Sequence, residues 1–469
     1  MNPSNENQSP TSNSNTNSKI ITINVGGQLF QTTHQTLTLS GPKSILSNIT
    51  SQYHDDDEVP FFDRDPELFS IILNLLRTGN CTLPSKVNKS FDLYDLIVEA
   101  QFYGVESMLL DSVNNPSQFN PLTVEKSMLL PLNGRDMPSA VGVGIDGSVH
   151  VAHGSKVTSF DWSLSRKRTI LTEFSVVDSL LAVSPSLVAA GATDFSGLQV
   201  IDATNGDVRK RLDWENVTRS GSTVQAIGCN DQFLFVSFES GRRNSNAIVV
   251  YDFIDDFRPV SEIAHNEIYG ADIDSGVPAT KLQWVPSYNM LMAAGFHSGP
   301  SGVTGNIKLW DVRSGSVAWE VKETVDCFSD VTVSDGLLAM FKVGVNSGEV
   351  FFIDLRNLST GNSWVCLGDA RKFTSGKKEG LGCKIESHGR HVFCSEDGDL
   401  KLWSEVLIDS LTKMEDALGE RVLRRNSVGR PKDMGASSIT NLCFGGNKMF
   451  ITRKDQQSVE VWQSSKMGH

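Results

Sequence analysis

Two rhythms of apolar and polar positions divide the chain. From Lys19 to about Asn114, β-type and helix-type patterns alternate. Lys19–Val25 (KIITINV) is a β-branched strand stopped by Gly26-Gly27, and Leu29–Thr33 reads as its hairpin partner, since glycine permits the tight turn between them. Helical segments are predicted over Ser44–Ile49, Pro66–Arg77, Leu93–Phe102 and Val105–Ser112. The second carries its own punctuation: Asp65 is placed to cap it, Pro66 holds the first helical position and Gly79 follows the end. Its apolar residues Phe69, Ile72, Leu73 and Leu76 follow the i, i+3, i+4, i+7 spacing of a buried face.

Past Asn115–Pro121, a predicted linker, the helical rhythm nearly vanishes. Short alternating strands recur instead, with similar endings: VTSFDW (157–162), GLQVIDATNGD (197–207), AIVVYDFID (247–255), NIKLWDVRSGS (306–316), EVFFIDLRN (349–357), DLKLWSE (399–405) and SVEVWQS (458–464). Strands repeating at this interval signal a β-propeller, one four-stranded sheet per repeat. NIKLWDVRSG resembles the blade ending of the WD-repeat family, although Phe160, Ile201, Tyr251 and Ile353 replace its tryptophan and Ser404 and Gln463 its aspartate. The repeated Asp reads as a turn-bonding residue rather than a catalytic one.

The last repeat supplies only Ser438–Phe444, Lys448–Arg453 and Ser458–Trp462, so its outer strand is missing. Ser127–Leu132 (SMLLPL), ahead of the first blade, is the strand that would close the ring and leave no exposed edge. The expected fold is an α+β domain followed by an all-β seven-bladed propeller. Its divisions are a disordered Asn/Ser-rich tail at 1–18, a domain at 19–114, a linker at 115–121 and the propeller at 122–469.

Composition narrows the function. The longest apolar run, Leu68–Leu76, is interrupted by Ser70 and Asn74 and falls well short of the roughly 20 residues a membrane helix needs. The first residues also lack a signal-peptide core, which gives an intracellular, soluble expectation: cytoplasmic, with the nucleus as a further compartment. The net charge of −13 argues against a nucleic-acid binder. The acidity is concentrated: residues 1–115 hold six Lys/Arg against thirteen Asp/Glu. Seven scattered cysteines without CxxC spacing read as buried thiols rather than a disulfide or zinc framework.

The order INVGGQLFQTT, TLTLSGPKSILSNI, FFDRDPELFSIILNLLRTG, LYDLIVEAQFYGVESML is similar to the tetramerisation-type BTB/POZ domain of voltage-gated potassium channels and soluble tetramerisation-domain proteins. The channel family's intersubunit zinc motif is absent, Cys81 standing alone. The resemblance implies that Asp63, Arg64 and Asp65 make polar contacts between subunits of a homo-oligomer; the competing reading is an N-cap beside a local ion pair. It further implies a cullin-3 docking face around Tyr53 and Asp56 in YHDDDEVP and Phe102 and Tyr103 in QFYG, unless those two aromatics are core. A helical extension after residue 112, which strengthens cullin binding in many BTB proteins, is lacking.

His150/His153 and His388/His391 have HxxH spacing, but on a strand i and i+3 face opposite sides, which weakens a metal reading. No metal or cofactor is expected. Gly295–Gly305 lacks a phosphate-loop ending and reads as a long hairpin loop. Leu407, Leu411, Met414 and Leu418 mark an amphipathic helix, followed by the basic RVLRRNSVGRPK. There Arg424-Arg425-Asn426-Ser427 fits a basic kinase context, against the plainer reading of a solvated loop. Aligned repeats place Asp178, Gln225, Lys281, Asp330, Lys384 and Asn441 at the channel rim, as a surface for an unidentified protein substrate or as ordinary strand ends. The inner strands SAVGVGI, SLLAVSP, VQAIGCN and TNLCFGG offer almost no acidic or histidine groups for an enzyme.

The resemblance to BTB/POZ proteins, joined to a propeller, implies a non-enzymatic, substrate-specific adapter of a cullin-3–RING ubiquitin ligase. The alternative is an oligomeric scaffold for signalling or trafficking that works without a cullin.

Overall fold

The computed structural model describes residues 20–42, 44–52, 59–79, 93–113, 119–162, 164–216, 219–267, 276–299, 302–358, 364–369, 378–396, 398–406, 422–428 and 437–464. The predicted tail at 1–18, Tyr53, Asp56, Cys81 and the 407–418 helix lie outside them. The chain divides into two compact units, Met1–Asn115 and Pro116–His469.

In the first unit β1 (Ile20–Val25) pairs antiparallel with β2 (Gln28–Thr33) and parallel with β3 (Phe61–Phe62), which places β1 at the centre. Gly26 and Gly27 make the two-residue turn at φ 56° and 90°, values that suit glycine. A Cβ on Gly26 would also strike the Arg64 carbonyl, so the bare backbone is what lets the FFDR strand lie against the hairpin. The short helix α1 (His34–Thr38), not expected from the sequence, is capped by Thr33. It is followed by α2 (Ile45–Gln52), α3 (Pro66–Thr78), α4 (Leu93–Tyr103) and α5 (Glu106–Val113). In α3 the Asp65 carboxylate accepts from Glu67 N and Leu68 N, and Gly79 ends the helix at φ 69°. The apolar stripe Phe69, Ile72, Leu73 and Leu76 is buried as its spacing predicts.

The second unit contains seven four-stranded antiparallel sheets among the described residues. Numbering blades in chain order, their inner strands are Pro138–Val143, Ser179–Ala182, Ser222–Cys229, Lys281–Val285, Phe328–Ser334, Ile385–His388 and Ile439–Gly445. Each inner strand touches the next, and the last touches the first, closing a ring. Middle strands are sandwiched between neighbouring blades and so are buried on both faces, as in Val149–His153 and Leu198–Asp202. Outer strands such as Lys167–Leu171 remain largely exposed.

Val124–Pro131 supplies the fourth strand of blade 7, pairing Leu130 with Val459 and Met128 with Val461. This is the ring closure expected from SMLLPL, beginning three residues earlier. Buried Arg453 and Glu460 (3.1 Å) sit inside the joint, with Lys126 3.6 Å from Glu460. Phe119, placed in the linker by its sequence, is buried against Phe393 and Phe444.

Two local expectations are corrected. Gly295–Gly305 is a pair of long strands rather than a loop, the ladder continuing to Gly299↔Gly302. The basic stretch at Val422–Val428 is the outer strand of blade 6 rather than a solvated loop, because it pairs along Asp399–Val406.

Candidate functional site

The repeated aspartates are turn residues, as their position before each outer strand implied. Asp202, Asp252, Asp311 and Asp354 each accept from the backbone N–H two residues on, at 2.9–3.0 Å. Asp161 instead accepts from the backbone N–H groups of Ser165 and Arg166, four and five residues on. The Thr204 hydroxyl and Arg209 hold the Asp202 carboxyl well below the usual carboxylate range.

The histidine pairs are also engaged in the fold. His150 lies between Ser159 (2.8 Å) and Ser148 (3.3 Å), and His153 meets Thr158 at 2.8 Å. His388 bonds the Gly446 carbonyl and stacks on Phe444, while His391 meets Ser404. Among the described residues no group of three His, Cys, Asp or Glu is arranged to hold a metal. Burial pushes the Cys229 thiol up to about 11 and Cys327 up to about 12, away from nucleophilic thiolate chemistry.

The first unit joins the FFDRDP segment to α4. Arg64 lies 3.7 Å from Glu99, and its guanidinium sits 3.9 Å above the Phe102 ring. Burial raises the Glu99 carboxyl, with Arg64 opposing. Asp63 and Asp65 are exposed, Asp65 using its carboxylate as the α3 cap. Phe102 is half-buried, but Tyr103 is 0% exposed, wedged against Phe62 and Phe69. Tyr103 is therefore core: it props Phe102 from behind and presents no side chain to a partner.

The propeller gathers four of the six rim residues. Lys281, Asp330, Lys384 and Asn441, from blades 4, 5, 6 and 7, line one cavity of about 490 Å³ where the inner strands begin. Its floor is an ion network: Lys281 Nζ lies 3.0 Å from Asp330 Oδ1 and 3.0 Å from Glu386 Oε2. Burial works against the Lys281 ammonium, but the two carboxylates outweigh it and hold lysine above its usual value. Burial also pushes Glu386 up, with Lys281 pulling it back. Gln283 extends the stitching by bonding both the N–H and the carbonyl of Val333. Phe296 (38% exposed) and Leu381 (63%) form an apolar lip. Asp178 bonds Thr193, and Gln225 bonds Thr223, apart from this cavity. A groove of about 810 Å³ opens where the inner strands end, between blades 3 and 4, walled by Phe233, Trp284 and Tyr288.

The four inner strands read as poor in acidic and histidine groups belong to blades 1, 2, 3 and 7, whereas blades 4 to 6 carry the charged cluster. Glu386 was missed although the sequence carried a signal: Ile385 is apolar, so Lys384 and Glu386 share the opposite, channel-facing side of the strand.

Comparison with known proteins agrees with both units. Residues 133–464 match the family described as At2g24240-like, C-terminal beta propeller, and residues 21–113 match the BTB/POZ domain. The chain belongs to the BTB/POZ proteins with an At2g24240-like propeller. Within this BTB–propeller family, BTB/POZ domain-containing protein At5g41330 of Arabidopsis thaliana is 58% identical, over 96% of this chain and 97% of its own. BTB/POZ domain-containing protein At4g30940 of the same organism is 25% identical over 95% and 97%. The BTB unit alone is similar to mouse KCTD9, 35% identical across 19% of this chain and 27% of that protein. In fold, the propeller is similar to a chain of a mitotic checkpoint complex crystal structure, with a TM-score of 0.53 and 12% identity, covering 74% of this chain and 97% of that one. No helix among the described residues is long and apolar enough to cross a membrane, and neither family description names an enzymatic activity.

Proposed function

We propose that this BTB–propeller protein is the substrate-specific adapter of a cullin-3–RING ubiquitin ligase, with catalysis supplied by the RING subunit. The BTB unit self-associates through the exposed Asp63 and Asp65 and docks cullin-3 on the face carrying Phe102, together with the Tyr53 and Asp56 segment. The propeller holds the target protein. The observation that carries this reading is the union, in one chain, of a BTB unit with a propeller whose channel mouth gathers Lys281, Asp330, Lys384 and Asn441 into one cavity. Lys281 is already neutralised by two carboxylates, which leaves Lys384 as the cation for an acidic group of the target. An extended peptide fits, its apolar anchor on Phe296 and Leu381.

Proximity labelling from the full chain in cells tests both halves. Wild type should label cullin-3 and a target; Lys384→Glu should lose the target and keep cullin-3. A labelled set without cullin-3 supports the scaffold reading instead. A Lys384→Glu set identical to that of wild type removes the cavity from target selection.

A further inference from the structure

We propose that Ser427, on the outer strand of blade 6, is a phosphorylation site for a basic-directed protein kinase, and that Lys401 and Arg425 receive the phosphate. Three observations meet there. The segment Arg424-Arg425-Asn426-Ser427 places arginines two and three residues before the hydroxyl. Among the described residues strand Val422–Val428 pairs with Asp399–Val406 alone and is the last strand of its sheet, so it is already extended. Ser427 is exposed, and Lys401 Nζ donates to its Oγ at 3.2 Å across the ladder.

Arg425 lies two residues away on the same face, spread over Trp403 (5.5 Å) and bonded to Glu396 at 2.6 Å. In the reaction Ser427 Oγ attacks the γ-phosphorus of ATP. The new O–P bond forms as the bond to the β,γ-bridging oxygen breaks; ADP leaves with that electron pair and the hydroxyl proton passes to the kinase's carboxylate base. The product adds about −1.5 to −2 charge beside two cations, and charge-assisted bonds to both follow. The phosphate competes with Glu396 for Arg425 and pins the outer strand to its neighbour through Lys401.

The test uses the folded full chain, ATP and the catalytic subunit of cAMP-dependent protein kinase, with site mapping by mass spectrometry. Phosphate is expected on Ser427, lost in Ser427→Ala and slowed at least tenfold in an Arg424→Ala, Arg425→Ala variant. By phosphorus NMR the second ionisation of the phosphate should fall below the about 6 of a free phosphomonoester, and return towards it in Lys401→Met. A synthetic peptide of residues 420–431 is the control. A phosphorylated peptide beside an unmodified folded chain overturns the inference, because the strand then shields the serine. Absence from both overturns it through the motif, and an ionisation indifferent to Lys401→Met overturns the assigned receptor.

Discussion

Lys281 and Glu386 stand two blades apart and 105 positions apart in sequence, yet their charged atoms lie 3.0 Å from each other at the channel mouth. Asp330, from the blade between them, completes the bridge and also accepts from Ile385 N at 3.0 Å. Three inner strands are thus tied by one ammonium group that is only a quarter exposed.

Replacing Lys281 by methionine leaves Asp330 and Glu386 facing each other without their cation. The partial exposure places the cost between that of a surface and a buried pair, about 1–3 kcal/mol. Without the lysine, the Glu386 carboxyl rises further above its unfolded value, so the folded variant binds a proton more readily. Its deficit relative to wild type should therefore be smaller at pH 5 than at pH 8. Urea unfolding at both pH values checks the size and the sign; an equal deficit at both contradicts the network.

His150 predicts the acid limb of stability. Buried between two serine hydroxyls, it is pushed down to about 4, against about 6.5 in an unfolded chain. Folding therefore favours the neutral ring. That contribution is complete above about pH 6.5 and is lost as pH falls towards 4, to the extent of about 3 kcal/mol. His150→Gln should flatten the pH dependence across that window by this order, measured by urea titration at pH 6.5, 5 and 4. A variant whose acid limb matches that of wild type contradicts the assignment.

Arg64 and Asp63 separate folding from assembly. Because Arg64 faces Glu99 within its own unit, Arg64→Glu puts two carboxylates together and should lower the midpoint of thermal unfolding. Asp63 is exposed and makes the cleaner interface probe. Asp63→Lys should reduce oligomer mass in light scattering while its unfolding midpoint stays within a few degrees of wild type. Unchanged mass would remove this residue from the subunit contact.

What the sequence could reveal followed from how local each cause was. Asp65, Pro66 and Gly79 announce α3 because cap, first turn and terminator are neighbours in the chain. SMLLPL was recognisable as a missing strand because the final repeat was visibly one short. The burial of Tyr103 rather than Phe102 was not legible. Both are aromatic at the end of α4, and the choice is made by Phe62 and Phe69, more than thirty residues upstream. Arg64 pairing with Glu99 and Lys281 with Glu386 were hidden for the same reason, each partner being supplied by another element. The loop expected at 295–305 failed because its glycines lie within a hairpin whose ladder continues through them.

The adapter reading rests on cullin-3 binding, which purified components measure directly. The full chain mixed with cullin-3 should form a saturable complex heavier than either component in size-exclusion light scattering. The same chain lacking residues 1–115 should form none, with the propeller still folded by circular dichroism. A full chain that elutes at its own mass beside excess cullin-3 contradicts the account.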